Sequence, residues 1–592
     1  MGCDALLVGP SARRLVIVVI TLNGKASSKM KIFNSGRFRL GMAMVVATGI
    51  ALSACGSSST SSNSSSSSKT TSSQSASAQV LTMESSPTNP ISRNFNPFLA
   101  TSAAQLLGAT SMIYEPLYQF DLAKPTVSYP WLATSYQWNS NGTAISFTIR
   151  KGVKWSNGSA LTPADVAFTY NLVKQYPDIN TNGLTISSVS VSGDTVTITF
   201  PTPQYTNLQG IANVPIVPEA IWSKVGDPGK YQDPNPVGSG PYKLATFTPE
   251  GITLTKNALY WQPVHVTTLD FPVYSSNTTA LEALDTNQAQ WAGNFITGLN
   301  KLYINPDPAH HKAWFNPENT VSLIPNLHTW PTDQLPVRQA ISDAIDRNAI
   351  STDGESGLEP PVTNLSGLVL PTFKSYSTSA LAKFTVNDNG SVQAADAVLK
   401  KAGYTIGSNG YYQLNGKTVT IQVTDPSSYS DYAADDEIVA ADLQKAHIDA
   451  TFVGQSVSAW SSDVASGNFQ LTEHWSAQGI TPYQQYDGWL ASSLATTAAT
   501  GDYERLNDPT INTDLAGLAQ ASTLSQQRSA LVPIAAYVAT NLPVIPTVYG
   551  AAFDEYNNTN FVGWPTPSNP YESGQPDNPT NEVVVLHLSP RS

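Results

Sequence analysis

Val337-Arg338-Gln339-Ala340-Ile341-Ser342-Asp343-Ala344-Ile345-Asp346-Arg347 places apolar residues at 337, 340, 341, 344 and 345. That spacing predicts an amphipathic helix with its apolar face turned inward. Downstream, Val392 to Lys401 and Glu437 to Ala446 read as further helices. Between them, Tyr411 to Val423 alternates apolar and polar residues around Asn415-Gly416, the favoured pair for a type I′ hairpin. Strands and helices thus alternate after about 320, which predicts an α/β unit. Upstream, Ile186 to Phe200 alternates around Gly193-Asp194, a second hairpin signal. Thr162-Pro163-Ala164-Asp165 reads as a helix start. Thr162 can cap, Pro163 suits the first helical position, and Asp165 can answer the cap. Leu161 and Val166 are spaced for a hydrophobic staple. No internal repeat is visible.

The N-terminal region is of a different kind. Leu52-Ser53-Ala54-Cys55 looks like a bacterial lipobox. Lys31, Arg37 and Arg39 precede an apolar run from Leu40 to Leu52, too short for a membrane span and well suited to a secretion signal. Residues 1–54 are therefore expected to be a signal peptide, with Met30 as the more ordinary start; a long n-region with a second apolar run, Leu15 to Leu22, is the alternative. Residues 55–80 are expected to be a lipidated Cys55 and a disordered tether. The stretch 56–79 is almost entirely Ser, Thr, Ala, Asn and Gln and cannot offset its own ordering entropy. Such a coil reaches roughly 25–30 Å. Lipid on Cys55 would supply the two or more chains that stable anchoring needs. The expected location is extracytoplasmic, held to the cell membrane.

Composition narrows the rest. The chain of 592 residues is long for one core, so two or three lobes are expected. No cysteine follows Cys55, so the remainder has neither a disulfide nor a thiolate metal site. Seven of the 31 basic residues and one of the 43 acids precede Cys55. The remainder carries 24 basic and 42 acidic residues, a balance that argues against nucleic acid or an anionic surface as partner. All 12 Trp lie beyond Cys55, a composition compatible with an aromatic-lined cleft.

Several short patterns carry bland readings. His310-His311 lacks a third ligand at metal spacing and reads as a solvated loop. Gly238-Ser239-Gly240 is followed by Pro241 with no helix pattern, so it is a poor phosphate loop. Asp435-Asp436-Glu437 reads as an acidic helix start favoured by the macrodipole. There is no Gly-x-Ser-x-Gly elbow, His-Glu-x-x-His motif or Gly-x-x-x-x-Gly-Lys loop.

Read together, seven segments resemble the extracellular solute-binding proteins of family 5, the oligopeptide and dipeptide receptors of ABC importers. They are Asn94-Phe95-Asn96-Pro97-Phe98 with Tyr114-Glu115-Pro116-Leu117-Tyr118, Trp131 to Tyr136, Phe147 to Trp155, Leu161 to Val166, Pro236 to Leu244, Val337 to Arg347, and Ala394 to Tyr404. The resemblance implies an α/β, periplasmic-binding-protein-like fold: two α/β lobes joined by a hinge, with an extra domain inserted in the first. Lobe I is expected at 81–119, 236–323 and 541–592, the inserted domain at 120–235, and lobe II at 324–540. Ligand would bind between the lobes and favour closure. The implied role is a monomeric receptor that delivers its ligand to an ABC permease with ATPase subunits. No catalysis, cofactor or metal is implied.

In the peptide receptors, an aspartate just after a Trp-x-Ala motif meets the ligand's α-ammonium. Here the matching stretch is His474-Trp475-Ser476-Ala477-Gln478-Gly479-Ile480-Thr481-Pro482-Tyr483, with Gln478 at the aspartate's place. An amide cannot neutralise a buried ammonium. Either Glu473 or Asp487 substitutes, or the register differs, or the ligand is uncharged. An oligosaccharide would stack on Trp and Tyr and hydrogen-bond to Gln, Asn and His. Trp475, Gln478, Tyr483 and Trp460 are the expected ligand-binding residues, with core burial the competing reading for each Trp. A secreted glycosidase, needing only two carboxylates, and an adhesive wall protein are the alternatives from other classes.

Overall fold

The computed structural model describes residues 80–84, 90–494 and 502–591. Cys55, the signal expected at 1–54 and the tether up to residue 79 lie outside the described residues. Two main sheets organise the rest. A seven-stranded sheet runs in the order His311–Pro317, Ala551–Asn557, Trp291–Ala292, Val80–Glu84, Thr268–Pro272, Gly251–Lys256, Tyr242–Thr248. A five-stranded sheet runs Asp449–Gln455, Thr420–Pro426, Leu471–Trp475, Val321–Pro325, Ile545–Val548. A four-stranded antiparallel sheet covers Ala133–Trp138, Ala144–Ile149, Thr195–Thr199 and Ser188–Ser192.

The five-stranded sheet is buried on both faces at Val321–Pro325 and Ile545–Val548 and is more open towards its other edge, Asp449–Gln455. In Val321–Pro325 every residue is buried, which needs an apolar run rather than an alternating one. Val321 and Leu323 join the core under the helices Leu335–Ala344, Val392–Lys401 and Ser430–Lys445; Ile324 joins a second core built by Pro482–Leu490, Pro509–Ala519 and Leu524–Asn541. The four-stranded sheet has no separate core: Ile145, Phe147, Val196 and Ile198 belong to the same apolar cluster as Leu81, Leu254 and Leu269 of the seven-stranded sheet.

The chain passes between the two main sheets twice. His311–Pro317 continues into Val321–Pro325, and Ile545–Val548 continues into Ala551–Asn557. The two crossings are hydrogen-bonded to each other, with Glu318 N–H to the Gly550 carbonyl at 2.9 Å and Gly550 N–H to the Asn319 carbonyl at 3.0 Å. A Cβ on Gly550 would stand 2.0 Å from Asn319 Oδ1, so the close approach requires glycine. By sheet membership the five-stranded half spans 321–548, against the expected 324–540, because Ile545–Val548 pairs with Val321–Pro325.

The local signals resolve as follows. Helix Pro163–Gln175 has its capping box from Thr162 and Asp165, and Leu161 and Val166 are both buried in the first core. The hairpins turn at Gly193 (φ 58°) and at Asn415-Gly416 (φ 53° and 79°). Val392–Lys401 is a helix capped by Ser391. The opening helix is Leu335–Ala344; Ile345 is already extended, and Asp346 caps a fresh turn at Arg347–Ala349. Two readings are corrected. The helix expected at 437–446 is Ser430–Lys445, so Asp435 and Asp436 are buried interior positions rather than a solvated start. His311 lies in a strand with its ring stacked on Tyr303 at 4.3 Å, not in a solvated loop; His310 pairs with Asp307 at 2.8 Å. Gly238 and Gly240 are packing glycines, with Cβ positions 1.7 Å and 2.4 Å from the carbonyl oxygens of Ile113 and Met112.

Candidate functional site

Thr420–Pro426 and Leu471–Trp475 run parallel, so their carboxyl ends open on one side of the five-stranded sheet. Open α/β sheets place ligands at such ends. The first strand leads into the helix Ser430–Lys445. The second ends at Trp475, and the next residue, Ser476, is tied to the first crossing: its N–H donates to the Thr320 carbonyl at 2.9 Å, and its hydroxyl accepts from Thr320 N–H at 3.1 Å. The aromatic end of the strand therefore sits beside the crossing between the two halves.

Trp475 is 46% exposed, unusual for so large an apolar surface in a folded domain. Its ring leans on His474 at 3.9 Å and on Tyr432 at 6.1 Å. Trp460, expected to contact ligand, is instead buried: its ring stacks behind His474 at 5.5 Å and its indole N–H donates to Thr472 Oγ1 at 2.8 Å. With its polar atom satisfied and its faces covered, it supports the site from within. Tyr429 and Tyr503 close the same aromatic cluster. Burial pulls the His474 imidazole down to about 4, so it is neutral near pH 7. Its Nδ1 faces the Trp475 carbonyl at 2.9 Å and must donate there, which leaves Nε2 as an acceptor.

Beyond Trp475 the chain reaches the other half. Ile480 N–H donates to Gln209 Oε1 at 2.8 Å, and Gln484 Nε2 donates to the Thr206 carbonyl at 3.1 Å. Gln478 lies between the strand end and these contacts. It is half-buried, and its side chain has no hydrogen-bond partner among the described residues. Tyr483 packs on the second core with its hydroxyl beside Asp487; burial and that carboxyl raise its pKa. Trp475 and Gln478 therefore share one seam, Tyr483 stands in the first turn of the helix Pro482–Leu490 that follows, and Trp460 is behind it.

Of the two acids considered as substitutes for an aspartate at 478, Glu473 is poorly placed to meet a cation, whereas Asp487 is half-buried. Glu473 is fully buried and accepts from the Thr547 hydroxyl at 3.0 Å; burial, then neighbouring Asp435 and Asp425, raise its pKa well above the carboxylate range. Asp487 is pushed up to about 6 by burial, against the lowering effect of the Tyr483 hydroxyl. Sequence reading missed Tyr432 and His474. Tyr429 and Tyr432 stand three apart at a helix start that follows a strand, and that pattern was the available signal. A separate polar depression, lined by residues including Asn326, His328 and Arg505, contains none of these aromatic residues. Among the described residues no group of three His, Cys, Asp or Glu is arranged to hold a metal ion, and no helix is long and apolar enough to cross a membrane.

Comparison with known proteins agrees with the architecture. A model of the bacterial extracellular solute-binding proteins, family 5, middle region, matches residues 128–496. The nickel-binding periplasmic protein of Escherichia coli is 24% identical over 396 residues, covering 64% of this chain and 72% of that protein. The probable peptide-binding protein YejA of Agrobacterium fabrum is 22% identical over 520 residues, covering 78% and 84%. Among solved structures, the mannohexaose-bound oligopeptide-binding protein of Thermotoga maritima aligns with a TM-score of 0.77 at 22% identity, covering 87% of this chain and 99% of that one. AppA of Bacillus subtilis, in complex with a nonapeptide, aligns at 0.70 with 18% identity, covering 87% and 99%. At these identities the structural likenesses carry the fold, that of the periplasmic binding proteins. The family match spans more than half of the chain, and the chain belongs to the bacterial extracellular solute-binding proteins of family 5.

Proposed function

We propose that this protein is the extracytoplasmic receptor of an ABC importer, capturing a small solute between two lobes and delivering it to a membrane permease. The observation that carries the reading is the seam beside the paired crossings. There an exposed Trp475, a Gln478 whose side chain has no hydrogen-bond partner among the described residues and an acceptor on His474 are held at the end of a strand, where a second half can close over them. The crossings Glu318–Thr320 and Tyr549–Gly550 act as the hinge, and ligand contacts from both halves favour the closed form. Residues 321–548 form the second lobe, and the region around the four-stranded sheet is the insertion in the first. The protein binds and releases without turnover. Lipid on Cys55 keeps it at the membrane; Cys55→Ser should release it to the medium, and retention by that variant would remove the anchor.

An oligopeptide is the ligand class most common among the relatives' names. The oligosaccharide reading rests on a specific observation: the aspartate position holds a neutral Gln478, and the nearby Glu473 is buried against Thr547. An exposed indole with amide and imidazole acceptors suits the apolar face and hydroxyls of a sugar. Thermal unfolding of the full chain against oligopeptides and against cello-, xylo- and manno-oligosaccharides decides between them. A ligand at about 100 times its dissociation constant adds roughly 2.7 kcal/mol when only the folded form binds it. Stabilisation by peptides alone excludes the sugar reading. Gln478→Ala should weaken binding by about 1–3 kcal/mol; unchanged affinity removes Gln478 from the site.

A further inference from the structure

Seven carboxyl side chains are gathered in the five-stranded half. Glu355 and Glu359 come from the segment that follows Ile350–Gly354, Asp425 from the end of Thr420–Pro426, Asp431, Asp435 and Asp436 from Ser430–Lys445, and Glu473 from Leu471–Trp475. All but Asp431 are at most 3% exposed. Asp435 is pressed so closely against the backbone that a Cβ on Gly354 would lie 1.6 Å from its Oδ1. Some of the acids find ordinary donors. Glu359 accepts from Ala551 N–H at 2.7 Å, and Asp425 accepts from Glu473 N–H at 2.7 Å and the Thr472 hydroxyl at 3.0 Å. Both oxygens of Glu355, Asp435 and Asp436 find no amide, hydroxyl or amine among the described residues. Their near neighbours are carboxyls: Glu355 pairs with Asp435, and Asp436 with Asp425.

Two ionised carboxylates cannot hydrogen-bond to each other; one of the pair must carry a proton. No cationic side chain among the described residues pairs with the cluster. The charged or titratable groups facing the cluster are its own seven acids with Tyr429 and Tyr432. Arg347, on the neighbouring turn, is committed elsewhere: it donates to the carbonyls of Pro546 and Ser342 and faces Asp388 and Asp343. Lys445, at the far end of the helix, pairs with Asp442. No metal-holding group of three occurs among the described residues.

We propose that protons hold this cluster together, so that the five-stranded half is most stable in acidic surroundings and its grip on the crossing strands weakens as the medium turns alkaline. The link to the crossings is direct: Glu359 receives Ala551 N–H at the start of one strand of the seven-stranded sheet, and Glu473 receives Thr547 just before the second crossing. Ionising the cluster would set like charges against each other in the buried interior.

The sign follows from linkage. An unfolded Asp or Glu titrates near 4. Burial, which dominates in each case, raises Asp431 to about 6 and Asp425 to about 7, and raises Glu355, Glu359, Asp435, Asp436 and Glu473 well above their ordinary values. The folded chain therefore holds more protons than the unfolded chain between about pH 4 and those values. The contribution is complete below about pH 4 and is lost as pH rises through 6 and 7.

The test is thermal unfolding of the full chain from about pH 4 to pH 8.5, with chelator and in parallel with millimolar calcium. The midpoint should be highest near the acid end and fall by roughly 2–5 °C per pH unit above about pH 5. Unfolding near pH 6 should release roughly two or more protons, read from calorimetry in buffers of different ionisation enthalpy. Asp436→Asn and Glu355→Gln should raise the midpoint near pH 8 and leave it unchanged near pH 4.5. A flat or rising profile, unfolding without proton release, or variants as pH-sensitive as the parent would each overturn the proposal. So would calcium abolishing the alkaline loss, since a metal ion would then fill the cluster. If a variant does not fold, the pair Asp425→Asn and Glu473→Gln decides the question by the same comparison of midpoints near pH 8 and pH 4.5.

Discussion

In the seven-stranded half, Asp554 takes the indole N–H of Trp291 at 2.9 Å, Glu84 is met by the Asn294 amide, and Glu115 takes the indole N–H of Trp261 at 2.8 Å. Glu572 accepts two backbone N–H groups, and Glu582 accepts from Gln119 and Tyr260. In the five-stranded half, Glu355, Asp435 and Asp436 meet carboxyls and, among the described residues, no other hydrogen-bonding group. Burial is equal in the two regions and raises the pKa of every one of these acids; Glu84 and Glu115 are pushed up to about 7 despite their donors. The difference lies in what replaces the lost water. An indole or amide donor serves the carboxyl in either protonation state, and serves the ionised state better. A carboxyl neighbour serves it only while one proton is shared. Burial thus pushes both sets of acids the same way; donors temper the shift in one region and carboxyl neighbours add to it in the other.

The comparison can be broken most severely at Trp291, which is fully buried and packs edge-on against Trp564 at 5.7 Å. Trp291→Ala removes that volume and leaves Asp554 without its indole donor. The expected cost is about 3–5 kcal/mol in urea denaturation near pH 5; a loss below about 1 kcal/mol would show that the donor network is dispensable. Trp261→Phe sharpens the point, because a ring remains for the Arg150 guanidinium, which lies 3.8 Å from the Trp261 ring centre, while the donor to Glu115 is gone. The donor stabilises the ionised form, so its loss should cost about 1–3 kcal/mol near pH 8.5 and less near pH 5. Equal losses at both pH values would contradict that reading. Trp475→Ala addresses the exposed end of the five-stranded half. Binding should weaken about tenfold, near 1.4 kcal/mol, with the melting midpoint of the free protein within a degree or two of the parent; a large drop in the midpoint would make Trp475 a core residue. The smallest effect belongs to the exposed pair Lys151–Asp194. Lys151→Met should change stability by less than about 1 kcal/mol, and the change should vanish in high salt.

Several elements were legible in the chain because their signals are local. The cap at Thr162-Pro163-Ala164-Asp165 and the turn at Asn415-Gly416 depend on residues within a few positions, and both are found as read. Asp435-Asp436-Glu437 misled because acids favour helix starts, whereas this helix begins at Ser430 and turns Asp435 and Asp436 inward. No local rule foresees that, since the partners are Glu355, in a distant segment, and Asp425, at the end of the preceding strand. The candidate site divides in the same way. Position 478 was readable as a neutral residue beside an aromatic one. Which tryptophan is exposed was not: Trp460 is sealed by His474 and Thr472, and Trp475 is left open.

By itself the sequence determined the α/β alternation, the two hairpins, the capped helix, the family and the neutral residue at 478, because each is a matter of residue type, spacing or a contiguous motif. The tertiary structure decided where the chain crosses between the sheets, which aromatic side faces outward, and that seven acids from four separate segments share one interior. Those outcomes depend on contacts between distant residues, where exclusion of water and the nearest available donor, rather than the order of residues, set the state of each group.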